Sequence, residues 1–500
     1  MSPRGGGSGP PGLRARSEMQ KIRFGTDGWR GVIADDFTFA AARRVAAAIA
    51  RCLMRAGRPG TLVVGHDTRF LSPAFARAAA EVLAAHGLTA HLTRAFAPTP
   101  AFGWAAVERG ADGAIVITAS HNPPQYSGIK LKDCHGAPAP PEVTAEIEAE
   151  LDRSADTATG RHGDRATGRI VSFDPRPSYL KRLAELADLG RIATVRAPVV
   201  VDAMCGSAQG YLAGLLAEHG LHVTELSAEL NPLFGGRQPE PVPANLLDLQ
   251  AACRERGAIG FALDGDGDRL AVVDERGRAW SPHQLMAVVV DHMARSAGRR
   301  GRIVKGFAVG RQVDAVAAAA GLPLVVVPIG FKYIAAHMLR GDVLVGGEES
   351  GGIGIQGHLP ERDGSLVALL VLEVVAREGC TAADVLDRLE ARVGPSHYRR
   401  VDWGLPRGLG REAILARLAT LRRGLAGEGP AAVDALDGLK LHFTDESWIL
   451  FRPSGTEPLL RVYAEAPDPG RLDRLMLAAG SAVREAVGDV IEEPDGKATA

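Results

Sequence analysis

The sequence lacks the marks of a secreted or membrane-bound protein and those of a nucleic-acid binder. Its five cysteines (Cys52, Cys134, Cys205, Cys253 and Cys380) are scattered over 500 residues, odd in number and never spaced as CxxC. That argues against a disulfide framework or a thiolate zinc site and fits a reducing, cytoplasmic setting. An excess of either charge is missing too: the formal net charge is −1, so neither nucleic acid nor a membrane surface is an expected partner. No apolar run approaches the ~20 residues that a membrane helix needs. The head, residues 1–19, has no apolar segment of the secretory type. Its Gly, Pro, Ser and Arg content cannot build a core, so it reads as a disordered tail, with Met19 as an alternative start.

What is present is ordinary globular material, 46% hydrophobic and 23% charged, in a chain long enough for roughly three or four domains. The chain repeats itself. TLVVGHDTRF from Thr61, APVVVDAMCGSAQG from Ala197 and RIVKGFAVGRQVD from Arg302 each begin with a strand and a small-residue loop. Each continues through a helix-favouring, Gly-closed segment into a second strand, which is the order of a βαβ unit. Each copy then supplies a further apolar strand running into an unusual loop: TASHNPP (118–124), DGDGDR (264–269) and GGEESGG (346–352). Ligand sites in α/β sheets gather beyond the carboxyl ends of strands, so the three loops are expected to face one cleft. After about residue 396 the pattern changes to a helix (ARLATLRRGLAG), short strands and a final helix, a smaller α+β domain. The expected division is 20–165, 175–282, 283–395 and 396–490, with a polar link near 152–170.

Asp264, Asp266 and Asp268 alternate beside two glycines. In an extended chain, alternate side chains share a face, so three carboxylates can converge on one cation; an all-oxygen set suits magnesium or calcium. An EF-hand is excluded because its sixth position, a glycine in that loop, is Arg269 here and the flanks read as strands. Ser120 is a candidate nucleophile at a strand end, held by two prolines in an exposed turn. His121 is adjacent, a spacing that seldom gives triad geometry. Glu348, Glu349 and Ser350 lie among four glycines and can hydrogen-bond vicinal hydroxyls. Arg452, Ser454, Gly455 and Thr456, with Arg461 further along, are the groups a phosphate dianion needs. Read singly, each loop could be a polar turn. Together they describe phosphoryl transfer on a phosphorylated polyol.

These residues resemble the α-D-phosphohexomutase superfamily, specifically bacterial phosphoglucomutase/phosphomannomutase, from FGTDGWRG (24–31) through to RPSGTEP (452–458). The resemblance implies four domains around a central cleft, the first three sharing an α/β core. It implies that Ser120 is a phosphoserine and that Asp264, Asp266 and Asp268 hold one Mg²⁺ together with its phosphate. Lys130 would match the proton-transfer lysine, with His121 among the catalytic candidates. Arg30 and Arg269 would match basic residues near the transferring phosphate. Glu348 and Ser350 would read sugar hydroxyls, Lys332 would contact substrate, and Arg452, Ser454, Gly455, Thr456 and Arg461 would grip the non-reacting phosphate. The implied reaction interconverts hexose 1-phosphate and hexose 6-phosphate through glucose 1,6-bisphosphate or its analogue, by a monomer or homodimer. One departure is visible: the sugar loop ends Ser350–Gly351–Gly352, where the dual glucose/mannose enzymes carry SGH. Glucose is favoured, mannose is a second substrate, and phosphoglucosamine mutase is the alternative. Rivals of other classes are an aspartyl-phosphate phosphatase, suggested by LDGDGD, and an inactive sugar-phosphate-binding regulator.

Overall fold

The computed structural model describes residues 22–25, 27–58, 60–154, 168–296, 298–405, 409–425, 427–454 and 458–487. The expected tail and Met19, most of the expected link, and Gly455 and Thr456 of the phosphate loop lie outside these residues.

The threefold repeat is a repeat of topology. In the first sheet the strands Tyr126–Asp133, Gly113–Ile117, Thr61–His66 and Thr89–Thr93 lie side by side in that order. The second sheet has Leu270–Val273, Ile259–Leu263, Val199–Asp202 and Val223–Leu226 in the same relation. The third has Ile353–Ile355, Val343–Gly347, Arg302–Gly306 and Leu324–Val327. In each the inner strands are parallel and the first-named strand folds back antiparallel. The three chemical loops are therefore hairpin connections, a feature that the strand–helix–strand pattern did not reveal. The first sheet gains Trp29–Val32 at one edge and, beyond the expected boundary at 165, Arg169–Phe173 at the other.

The parallel strands read as unbroken apolar runs because helices cover both faces. One core runs from Val63 and Val116 through Val199 and Phe261 to Ile303 and Val345. The helix Gly364–Glu378 is part of that core, with every residue from Gly364 to Val375 buried. Its start is set by Asp363, whose carboxylate accepts from the Leu366 N–H, and its end by Gly379 at φ +60°. The last unit is a five-stranded antiparallel sheet under the helix Pro469–Val487. The helix expected at 416–427 lies earlier, at Arg411–Arg417, and tightens into a 3₁₀ turn over Leu418–Arg423. No helix of the described residues is long and apolar enough to cross a membrane.

Candidate active site

The first and second hairpin loops pack directly on each other. Ser120 takes a left-handed backbone, φ +53°, and its hydroxyl donates to Asp264 Oδ2 at 3.0 Å. The expected exposed turn is instead buried: Ser120 is 1% accessible. The reason is Gly265, where a Cβ would stand 2.5 Å from the Ser120 carbonyl oxygen and 3.0 Å from Pro239 Cγ. Only glycine lets the two loops close to this distance.

The three aspartates do converge, but through a tight turn and not through strand alternation. Asp264 Oδ1 accepts the N–H groups of Asp268 (3.0 Å) and Arg269 (3.2 Å), and Gly267 turns the chain at φ +71°. One carboxylate oxygen from each lies within 4.8 Å of the others, and all three residues are fully buried. Burial, followed by the charges of Asp268 and Asp266, pushes Asp264 well above the ordinary carboxylate value. Asp266 Oδ1 and Asp268 Oδ1 are buried without a hydrogen-bond partner. Hard oxygen donors, crowded negative charge and two orphaned oxygens fit a small divalent cation.

Lys130, on the returning strand Tyr126–Asp133, reaches into this group. Its Nζ lies 2.8 Å from Asp266 Oδ2, 2.8 Å from Asp268 Oδ2 and 2.9 Å from Asp27 Oδ2. Burial works against its charge, but Asp266, Asp268 and Asp27 hold it above its ordinary value. Thr99 donates to Asp266 Oδ2 at 2.5 Å, and Arg30 donates to Asn122 Oδ1 at 2.5 Å. His121 Nδ1 is 3.4 Å from Ser120 Oγ. Burial, then the nearby Arg269 and Arg30, keep its imidazole well below the ordinary value, hence neutral at pH 7. Arg269 pairs with Glu240 at 3.4 Å.

The third hairpin joins the second: the Leu270 N–H donates to the Gly351 carbonyl at 3.2 Å. Glu348 is buried there, and burial lifts its carboxyl to about 7 while Arg362 opposes the rise. Ser350, on the same loop, is half-buried. The Gly352 that departs from SGH has a structural counterpart. A Cβ at 352 would lie 2.3 Å from Arg362 Cδ, so the arginine stem fills the space that a larger residue's side chain would enter. The Arg362 guanidinium then spans Asp27 Oδ2 (2.5 Å), Asp268 Oδ2 (2.8 Å) and Glu348 Oε2 (3.5 Å). It thereby ties the aspartate loop to the Glu348 loop.

In the last unit Arg452 donates from Nε to Asp437 Oδ2 at 2.9 Å, and Arg411 reaches Asp437 Oδ1 at 2.5 Å. Burial opposes its ionisation, yet Arg452 and Arg411 hold Asp437 below the ordinary carboxylate range. The same carboxylate accepts the Ile329 N–H at 3.0 Å, which links Arg452 to the loop before Lys332. Lys332 lays its ammonium 5.3 Å over the ring of Tyr333. Ser454 closes its strand by donating its N–H to Leu459 O, and Arg461 Nε stands 3.6 Å from Asp402. Sequence reasoning missed Asp27, Arg69, Thr99, Lys132, Glu240, Glu361, Arg362 and Asp437. Asp27 lies inside FGTDGWRG and Arg69 inside TLVVGHDTRF; the others belong to no local pattern, because their partners lie on distant parts of the chain.

Three repeated α/β units with a buried serine against three carboxylates, completed by an α+β unit that carries Arg452 on Asp437, define a hexose-phosphate mutase. The chain belongs to the phosphoglucomutase/phosphomannomutase family. Models of that family's α/β/α domains I, II and III match residues 21–158, 177–277 and 281–393, and its C-terminal domain matches 416–479. The chain is similar to a phosphoglucomutase/phosphomannomutase of Thermococcus kodakarensis, 33% identical over 89% of this chain and 94% of the relative. It is likewise similar to a phosphoglucosamine mutase of Agrobacterium fabrum, 31% identical over 92% of this chain and 97% of the relative. A Thermus thermophilus protein classed as a phosphomannomutase has a solved structure that superposes with a TM-score of 0.82. It is 38% identical, over 93% of this chain and 99% of that one.

Proposed function

We propose that this chain carries a phosphoryl group on Ser120 and passes it between O1 and O6 of a hexose. The observation that carries the reading is the Ser120 hydroxyl 3.0 Å from Asp264, against two further buried aspartates. Asp264, Asp266 and Asp268 would hold one Mg²⁺, which when bound neutralises charge on the transferring phosphoryl. Lys130 Nζ, which those carboxylates hold charged, would be the proton-transfer group for the hexose hydroxyl once Mg²⁺ takes up their charge. Arg30 and Arg269 draw the phosphoryl oxygens, and neutral His121 orients the serine side. Glu348 and Ser350 read sugar hydroxyls, with Lys332 at the substrate's edge. Arg452, Ser454, Gly455, Thr456 and Arg461 grip the phosphate that is not reacting. The hexose 1,6-bisphosphate intermediate turns end for end, and its second phosphoryl returns to Ser120. Glucose is the favoured sugar and mannose a second substrate. The relatives carry phosphoglucosamine mutase as well as phosphoglucomutase names, so glucosamine is the competing sugar. The partners are hexose phosphates, and the protein works in the cytoplasm as a monomer or homodimer.

The test is turnover of glucose, mannose and glucosamine 1-phosphates with Mg²⁺ and a trace of glucose 1,6-bisphosphate, compared by kcat/KM. Turnover lost in Ser120→Ala supports the reading, and near-normal turnover in that variant removes it. Phosphate release with an alkali-labile protein phosphate would point to a phosphatase. Binding without either reaction would point to a regulator.

A further inference from the structure

The left-handed backbone of Ser120 needs an explanation. A non-glycine residue at φ +53° is sterically unfavourable and persists only where its surroundings impose it. Arg69 is the largest fully buried side chain near it, 1% exposed. Its Nη2 donates to the carbonyls of Ser120 (2.7 Å) and Asn122 (2.5 Å), while Nη1 donates to those of Pro123 (2.8 Å) and Tyr126 (2.9 Å). One guanidinium thus gathers four carbonyls of a single loop. Its charge is met by Asp67, 3.2 Å from Nε, and Asp67 is itself fixed by the Ser72 hydroxyl at 2.6 Å. From the second unit the ring of Phe234 covers the guanidinium at 4.8 Å. Ser120, Cys205 and Phe234, which make contacts across this seam, are three of the eight non-glycine residues with positive φ among the described residues. Thr68 crosses the same seam to the Cys205 carbonyl at 2.9 Å.

We infer that Arg69 is the positioning residue for Ser120, and that Phe234 closes the clamp from the neighbouring unit. Rotating Ser120 out of the left-handed region would draw its carbonyl off Nη2 and carry its hydroxyl away from Asp264. Four acceptors around one centre need the planar fork of an arginine; a lysine ammonium has three donors at one point and cannot reproduce it. The direct partners of Arg69 are the loop carbonyls and Asp67; its charge also acts through space on Asp266 and Asp264, and Arg69→Lys, which keeps that charge but not the fork, separates the two effects.

The inference rests on Ser120 being the phosphoryl carrier, and the experiment separates the two. Transfer of labelled phosphoryl from glucose 1,6-bisphosphate to the full-length protein is followed with Mg²⁺ in wild type, Arg69→Met, Arg69→Lys and Phe234→Leu. Hydrogen exchange at the amides of residues 119–122 is measured in parallel. Arg69→Met is expected to label about a hundredfold more slowly, since ~1 Å of misplacement costs that much, with hexose-phosphate affinity within about threefold. Arg69→Lys recovers only part of the rate. The loop amides exchange at least about tenfold faster, while those of Val199–Asp202 do not change. Wild-type labelling rates in Arg69→Met, or exchange that rises equally everywhere, overturn the inference. No label on wild type removes the reading of Ser120, and the exchange result then still decides whether Arg69 holds the loop. If Arg69→Met does not fold, Phe234→Leu decides: slower labelling with faster loop exchange supports the clamp, and no change in either refutes it.

Discussion

Gly265→Ala adds one methyl group and removes nothing, so it tests whether the separation of the serine and aspartate hairpins matters. The new Cβ would stand 2.5 Å from the Ser120 carbonyl oxygen; reaching ordinary van der Waals contact at 3.4 Å requires a shift of 0.9 Å, and even 3.0 Å requires 0.5 Å. The carbonyl cannot simply retreat, because Arg69 Nη2 holds it at 2.7 Å, and Pro239 blocks the other side at 3.0 Å. Overpacking of this kind costs roughly 1–3 kcal/mol. A shift of half to nine-tenths of an ångström between nucleophile and aspartates corresponds to about a tenfold to hundredfold loss in kcat. The assay is mutase turnover at saturating hexose phosphate, with Mg²⁺ affinity by calorimetry and Tm by scanning calorimetry. KM for the sugar phosphate should stay within about twofold, since the proposed sugar and phosphate contacts lie on other loops. Gly265 does not have a left-handed φ, so backbone strain offers no alternative cause. A kcat within about twofold of wild type, with Tm unchanged, would refute the reasoning.

Three further outcomes are expected. Gly352→His must drive Arg362 out of contact with Asp27, Asp268 and Glu348; breaking buried pairs costs about 3–5 kcal/mol, read as a fall in Tm, and an unchanged Tm would show that the stem yields freely. Glu348 is lifted from 4.5 to about 7 by burial, so the native state keeps a proton that the unfolded chain has lost. Wild type should therefore lose stability relative to Glu348→Gln as pH rises from about 4.5 to about 7, by at most about 3 kcal/mol, and remain level above; a Tm difference equal at pH 5 and pH 8 contradicts this. Asp437→Asn removes the charge that pairs with Arg452 and should raise KM about tenfold while leaving kcat within about threefold, if Arg452 grips the non-reacting phosphate as proposed. Steady-state kinetics check it, and a fall confined to kcat would place Asp437 in the chemical step.

The amino-acid sequence by itself determined the three strand–helix–strand repeats, the change of pattern after the third, and the Ser120, aspartate and arginine loops. Each is written in neighbouring residues: apolar runs long enough for buried strands, Gly-closed helices, and polar residues packed into loops a few positions long. It did not reveal that these loops are hairpin connections, because an antiparallel return strand and a parallel one have the same apolar pattern. Nor did it show Ser120 buried at φ +53°, with its carbonyl meeting a glycine and an arginine from two other segments. The tertiary structure alone decided the charge network. Asp27 pairs with Arg362 across 335 positions, Lys132 with Glu361 across 229, and Ser120 with Asp264 across 144. Separations of that size have no periodicity to read. They come from the order in which the sheets stack, and each pair is strong enough to matter because that stacking removes it from water.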